Sequence, residues 1–140
     1  MKKLLIAGLL TAFALMFSAS QSFAQDSGEA KVKVDVYYFH ATKRCPTCEA
    51  IERETKKTLD RSFAGEMKNG ILQLHVLNLD DKENKELVEK YEIYGSSLIL
   101  ATTSGDEPVN LTNKAFLYAR DQSFAFRKEL KEQLNLLLNK

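Results

Sequence analysis

The chain has 140 residues, with 20 Lys and Arg against 19 Asp and Glu, a formal net charge of +1, 44% hydrophobic residues, no Trp and only two Cys. That is enough apolar content for one core, and so even a charge balance argues against a nucleic-acid-binding role. Two cysteines are too few for a disulfide-stapled scaffold, so their spacing, not their number, carries the information.

The first residues read as an export signal. Met1-Lys2-Lys3 is basic, Leu4 to Phe17 is apolar but short for a bilayer span, and Ser18 to Ala24 is small and polar. Ser22-Phe23-Ala24 places small residues where a signal peptidase reads them, which predicts cleavage after Ala24 and a periplasmic or otherwise exported location. Loss of Lys2 and Lys3 would turn the balance slightly acidic. Residues 25–30 are small, polar and acidic, and are expected to form a disordered lead-in to a single domain over 31–140. No second apolar run predicts a membrane span after signal cleavage.

Val32, Val34 and Val36 alternate with charged residues and run into Tyr37-Tyr38-Phe39, the pattern of a half-buried strand extended into a fully buried stretch. His40 to Arg44 is a polar loop. A helix is expected from near Cys45 to about Arg61, because Pro46 suits a first turn and Ile51, Thr55 and Leu59 share one face. Glu49, Glu52, Arg53 and Lys56 fall on its solvated side, and Phe63 is expected beneath its end. Ala64 to Gly70 reads as a loop with an Asn69-Gly70 turn.

Ile71 to Leu79 reads as a central strand, with His75 on a partly exposed face. Asp80-Asp81 is placed to cap a helix over Lys82 to Tyr91, whose apolar face is Leu87, Val88 and Tyr91. Ser97 to Thr103 is a short strand, Ser104-Gly105-Asp106 a hairpin turn and Val109 to Tyr118 the partner strand. Asp121 to Asn139 is a helix with Phe126, Leu130, Leu134, Leu137 and Leu138 on its core side. The order β-α-β-α-β-β-α predicts an α/β fold, a mixed four-stranded sheet flanked by helices on both faces.

Cys45-Pro46-Thr47-Cys48 stands at the strand-to-helix junction. A disulfide closing so short a loop restricts the unfolded chain little, so the spacing favours reactivity over stapling. At a helix N-terminus, with Lys43 and Arg44 directly before it, Cys45 is expected to have a depressed pKa and to be the attacking thiolate. Cys48, one turn in, is expected to resolve the mixed disulfide. His40 could shuttle protons or add a metal ligand, but a histidine at a strand end more often hydrogen-bonds within its loop. Two Cys and two scattered His make a poor zinc set, and no metal site is assigned.

With these motifs in order, the chain resembles a thioredoxin over nearly all of residues 31–140. The resemblance rests on the strand feeding Cys45-Pro46-Thr47-Cys48, on Leu77-Asn78-Leu79-Asp80, and on the stretch KYEIYGSSLILATTSGD from Lys90 to Asp106. Within thioredoxin-like families, YYFHATKRCPTC (Tyr37 to Cys48) and the following Glu49-Ala50-Ile51-Glu52 resemble a small exported family known as a nitrophenyl-compound nitroreductase subunit and linked by name to arsenic resistance. The resemblance implies a redox-active Cys45–Cys48 disulfide, a redox partner protein and a disulfide-bearing client, no dissociable cofactor, and a monomer.

Two departures stand out. The family's cis-proline is replaced in register by Ser97; a cis bond before a non-proline residue costs about 3–4 kcal/mol, so Ser96-Ser97 is expected to be trans, with the Ser97 hydroxyl beside the sulfurs. The family's buried strand acid is also missing, leaving His40, Glu49 or water to relay protons. The readings that follow are a thiol–disulfide oxidoreductase or electron carrier, a metal- or metalloid-binding module using the same thiolates, or an electron-donating subunit of an associated reductase.

Overall fold

A computed structural model describes residues 33–139. The predicted signal over residues 1–24, its cleavage point, the lead-in over 25–30 and the strand residue Val32 lie outside the described residues. The elements are β1 (Val34–His40), α1 (Pro46–Ser62), α2 (Ala64–Lys68), β2 (Leu72–Asn78), a 3₁₀ turn (Lys82–Asn84), α3 (Lys85–Lys90), β3 (Ser97–Thr102), β4 (Val109–Asn110), α4 (Thr112–Tyr118) and α5 (Ser123–Leu138). The strands form one mixed sheet in the order β2-β1-β3-β4. β1 pairs parallel with β2 and antiparallel with β3, with Tyr38 opposite Val76 on one side and Leu98 on the other. This is the mixed, helix-flanked sheet of a thioredoxin-like arrangement.

Alternation along β1 divides the core. Val34, Val36 and Tyr38 point to one face and are fully buried with Leu98 and Leu100 of β3, Ile51 and Leu59 of α1, Ala115 of α4, and Phe126, Leu130 and Leu134 of α5. Phe39 points to the other face, where Ile93 and Ile99 join it under Leu87, Val88 and Tyr91. The apolar faces expected of α3 and α5 are therefore both used in packing. Tyr37 is only half-buried, because it lies on this thinner side and stacks on His75 at 4.8 Å between centroids. No helix among the described residues is long and apolar enough to cross a membrane.

The structure corrects several expected elements. The hairpin strand stops at Asn110, and Thr112–Tyr118 is helix rather than strand. The reason is a four-residue spacing that outweighs the apparent alternation: Leu111, Ala115 and Ala119 are all buried, one helical turn apart. Asn110 Oδ1 accepts the Thr112 N–H at 2.9 Å and turns the chain. Ala64–Lys68 is a short helix rather than a loop, continuing after a break at buried Phe63, and the Asn69-Gly70 turn follows with Gly70 at φ +67°. The helix expected from Lys82 begins as a 3₁₀ turn. Asp81 provides no side-chain cap, and Asp80 Oδ2 instead accepts the Thr42 N–H at 2.8 Å, fixing the loop before the cysteines.

Candidate redox site around Cys45 and Cys48

β1 ends at His40, and the loop over 41–44 carries the chain to Cys45 and into α1. Cys45 is the N-cap of α1, in an extended conformation, and its Sγ accepts the Cys48 N–H at 3.1 Å. The sulfur thus does the work that a Ser or Asp oxygen does at most helix starts. Pro46 occupies the first helical position, exposed, where no N–H is required, and Thr47 is half-buried beside it. Cys45 and Cys48 are joined as a disulfide with their Cα atoms 5.0 Å apart. Cys45 is half-buried, whereas Cys48 is 6% exposed. Cys45 is therefore the more accessible residue of the pair and Cys48 the more shielded, an asymmetry compatible with a redox role.

Behind Cys48 lies a polar cluster. The fully buried Tyr38 donates its hydroxyl to the Cys48 carbonyl at 2.7 Å. The Arg44 guanidinium sits over the Tyr38 ring, 5.8 Å from its centroid, and is bonded to the Glu52 carboxylate, which also takes Lys56. Burial pushes the Tyr38 hydroxyl above its ordinary pKa, with hydrogen bonding from Arg44 partly opposing it. Burial alone would raise the Glu52 carboxyl, but hydrogen bonds from Lys56 and Arg44 outweigh it and hold it below the usual carboxylate range. Burial would likewise lower the Arg44 guanidinium, and its bonds to Glu52 and Tyr38 reverse that.

These contacts change the reading of several residues. Glu52 was expected on a solvated face, yet its side chain is 16% exposed because Arg44 folds back onto it from the loop. Arg44 is consequently not a free cation before Cys45; it is paired with Glu52 and lies over the Tyr38 ring. Lys43 remains exposed and makes no ion pair among the described residues. His40 Nδ1 lies 3.1 Å from the Ala41 carbonyl, the plain loop interaction, and its ring is 6.1 Å from that of Tyr38. Glu49 is exposed.

The loop after α3 completes the site. The Ser96–Ser97 peptide is trans. The Ser97 hydroxyl is not beside the sulfurs, as expected, but donates to the Gly95 carbonyl at 2.9 Å, because Ser97 opens β3 opposite Phe39 and faces away from α1. Ser96 is the neighbour instead, with its Oγ 3.7 Å from Cys48 Sγ. Tyr38 is the site residue the sequence reading passed over as mere core. Its signal was there: Tyr38 is in phase with Val34 and Val36, hence on the face that α1 covers. Among the described residues no three His, Cys, Asp or Glu side chains are grouped to hold a metal ion, so His40 does not extend the cysteine pair into a ligand set.

No protein-family model matches the chain, and no curated protein sequence matches it. A solved structure described as "Structure of a malarial protein" is similar at a TM-score of 0.37 and 23% identity, covering 61% of this chain and 93% of that one.

Proposed function

We propose that this chain is an exported, monomeric thiol–disulfide oxidoreductase or electron carrier that works through Cys45 and Cys48. The observation that carries the reading is the asymmetry of the pair: Cys45 at the helix N-cap and reachable, Cys48 buried one turn in. In the reduced protein the Cys45 thiolate, favoured by the N–H groups and dipole of α1, attacks one sulfur of a client disulfide. A Cys45–client bond forms, the client S–S bond breaks, and the departing client thiolate takes a proton from water. Cys48, deprotonated, then attacks Cys45 Sγ, releasing the second client thiolate and closing the Cys45–Cys48 disulfide. One electron pair has passed from the dithiol to the client, and a partner dithiol restores it by the same exchange in reverse.

Arrest at the mixed disulfide tests this. Cys48→Ser should accumulate covalent, reductant-sensitive adducts with a disulfide substrate, and Cys45→Ser should form none. Equal trapping by both variants, or by neither, would remove the assignment of Cys45 as the attacking thiol.

A further inference from the structure

The cluster behind Cys48 holds a cation whose position follows neither from helix capping nor from core packing. Arg44 is taken out of solvent to 26% side-chain exposure, laid over the ring of Tyr38 and bonded on one edge to Glu52. Its Nε–H is buried and has no acceptor among the described residues. Tyr38 is itself bonded to the Cys48 carbonyl, so the guanidinium is tied through the Tyr38 ring to the backbone of the turn that carries the cysteines. A disulfide is neutral and offers such a cation little. A thiolate offers a full negative charge in a partly desolvated site, where charge interactions are strongest.

We infer that Tyr38, Arg44 and Glu52 form a charge relay that sets the reduction equilibrium of the Cys45–Cys48 pair and readies Cys48 to resolve mixed disulfides. Tyr38 places Arg44, Arg44 stabilises the thiolate form, and Glu52 attenuates that stabilisation by holding part of the guanidinium's charge. These are positioning residues, acting on sulfurs they do not replace. The inference rests on the thiol–disulfide reading above and adds the groups that tune it.

The electron balance makes the sign definite. Full reduction of the disulfide takes two electrons and two protons and yields two thiols. Where one sulfur stays a thiolate, only one proton is taken up, and any cation favouring that thiolate pulls the equilibrium toward the reduced form. Removing Arg44 must therefore favour the disulfide, while neutralising Glu52 must favour the dithiol. A purely structural role for the three residues would change stability and leave no reason for opposite redox shifts.

The experiment equilibrates the full chain, its Arg44→Met and Glu52→Gln variants and the conservative Arg44→Lys in glutathione buffers of graded ratio, scoring reduced protein by thiol alkylation across pH 5 to 9. Arg44→Met should shift the equilibrium constant about tenfold toward the disulfide, a ~30 mV lower potential for a two-electron couple. Glu52→Gln should shift it severalfold the other way, and Arg44→Lys should fall between wild type and Arg44→Met. The pH at which the number of protons taken up falls from two to one should rise in Arg44→Met. If wild type cycles reversibly but the Arg44 and Glu52 variants shift alike or not at all, the relay is overturned and the redox reading stands. If wild type does not cycle, the redox reading itself fails. Should Arg44→Met not fold, Glu52→Gln decides alone: a shift toward the dithiol supports the relay, and no shift or the reverse overturns it.

Discussion

Arg127→Met should destabilise the fold strongly, although it lies far from the cysteines in sequence. Arg127 Nη1 of α5 donates to Glu54 Oε2 of α1, and Arg53 donates to the other carboxylate oxygen at 3.1 Å. The Glu54 side chain is only 6% exposed, that of Arg127 25%, and that of Arg53 62%, so Arg127 is the partner that matters inside the fold. Breaking a buried pair by removing one partner costs roughly 3–5 kcal/mol, because the remaining charge stays desolvated. The retained Arg53 bond and the partial exposure of Arg127 place this case near the lower end, about 3 kcal/mol. For a domain of this size that is a fall in Tm of roughly 10 °C.

The pH dependence gives the same prediction an independent handle. Burial alone would raise the Glu54 carboxyl, but hydrogen bonds from Arg127 and Arg53 outweigh it and hold it below the usual range. A depressed folded-state pKa contributes stability that is complete above the unfolded value, about 4.3 for Glu, and is lost as the pH falls through the folded value. Arg127→Met removes that contribution and leaves Glu54 free to bind a proton at higher pH. Urea unfolding from pH 3 to 8 should show a large deficit at pH 7 that narrows toward pH 3. The double variant Glu54→Leu with Arg127→Met should recover most of the loss. A deficit below about 1 kcal/mol at pH 7, or one that does not narrow in acid, would refute the reasoning from burial.

Other changes read out different parts of the structure. Thr112→Ala removes the hydroxyl that accepts the Leu98 N–H at 3.0 Å; leaving that strand N–H unpaired should cost about 1–3 kcal/mol in urea unfolding, and Thr112→Ser should restore most of it. Tyr38→Phe deletes the bond to the Cys48 carbonyl and should cost about 1 kcal/mol of stability while moving the pair's reduction equilibrium toward the disulfide, as measured by alkylation in glutathione buffers. Ser96→Ala removes the hydroxyl 3.7 Å from Cys48 Sγ and should slow release from a preformed mixed disulfide about threefold, equivalent to roughly 0.6 kcal/mol, with Ser97→Ala unchanged in the same stopped-flow assay. An equal effect of the two serines would reverse the distinction drawn between them.

The strand-helix-strand core was legible because its signals are local. Val34, Val36 and Tyr38 alternate, Pro46 starts a helix, and Phe126, Leu130, Leu134 and Leu137 recur at helical spacing and are buried accordingly. The segment after Asn110 was misread because Val109 and Leu111 begin a convincing alternation, and only Ala115 and Ala119, small residues with weak patterning, reveal the helical period. At the site, the cysteine spacing and the N-cap position were visible from Pro46 and the preceding strand. The fold-back of Arg44 onto Glu52 was not, since it depends on how the loop fixed by Asp80 and Thr42 turns into α1. Which of two adjacent serines meets the sulfur depends on the register of Ser97 against Phe39, a tertiary pairing that one sequence does not announce.

The central claim is that Cys45 and Cys48 cycle between disulfide and dithiol without loss of the fold. Redox titration of the intact protein, with alkylation to count thiols and near-ultraviolet circular dichroism to follow packing, tests it most directly. The account predicts a reversible two-electron transition between about −270 and −120 mV, the span from thioredoxin-type reductants to strong disulfide oxidants, with the tertiary signal preserved on both sides. A pair that stays oxidised below about −300 mV, the range of structural disulfides, or that reduces only as the protein unfolds, would contradict it.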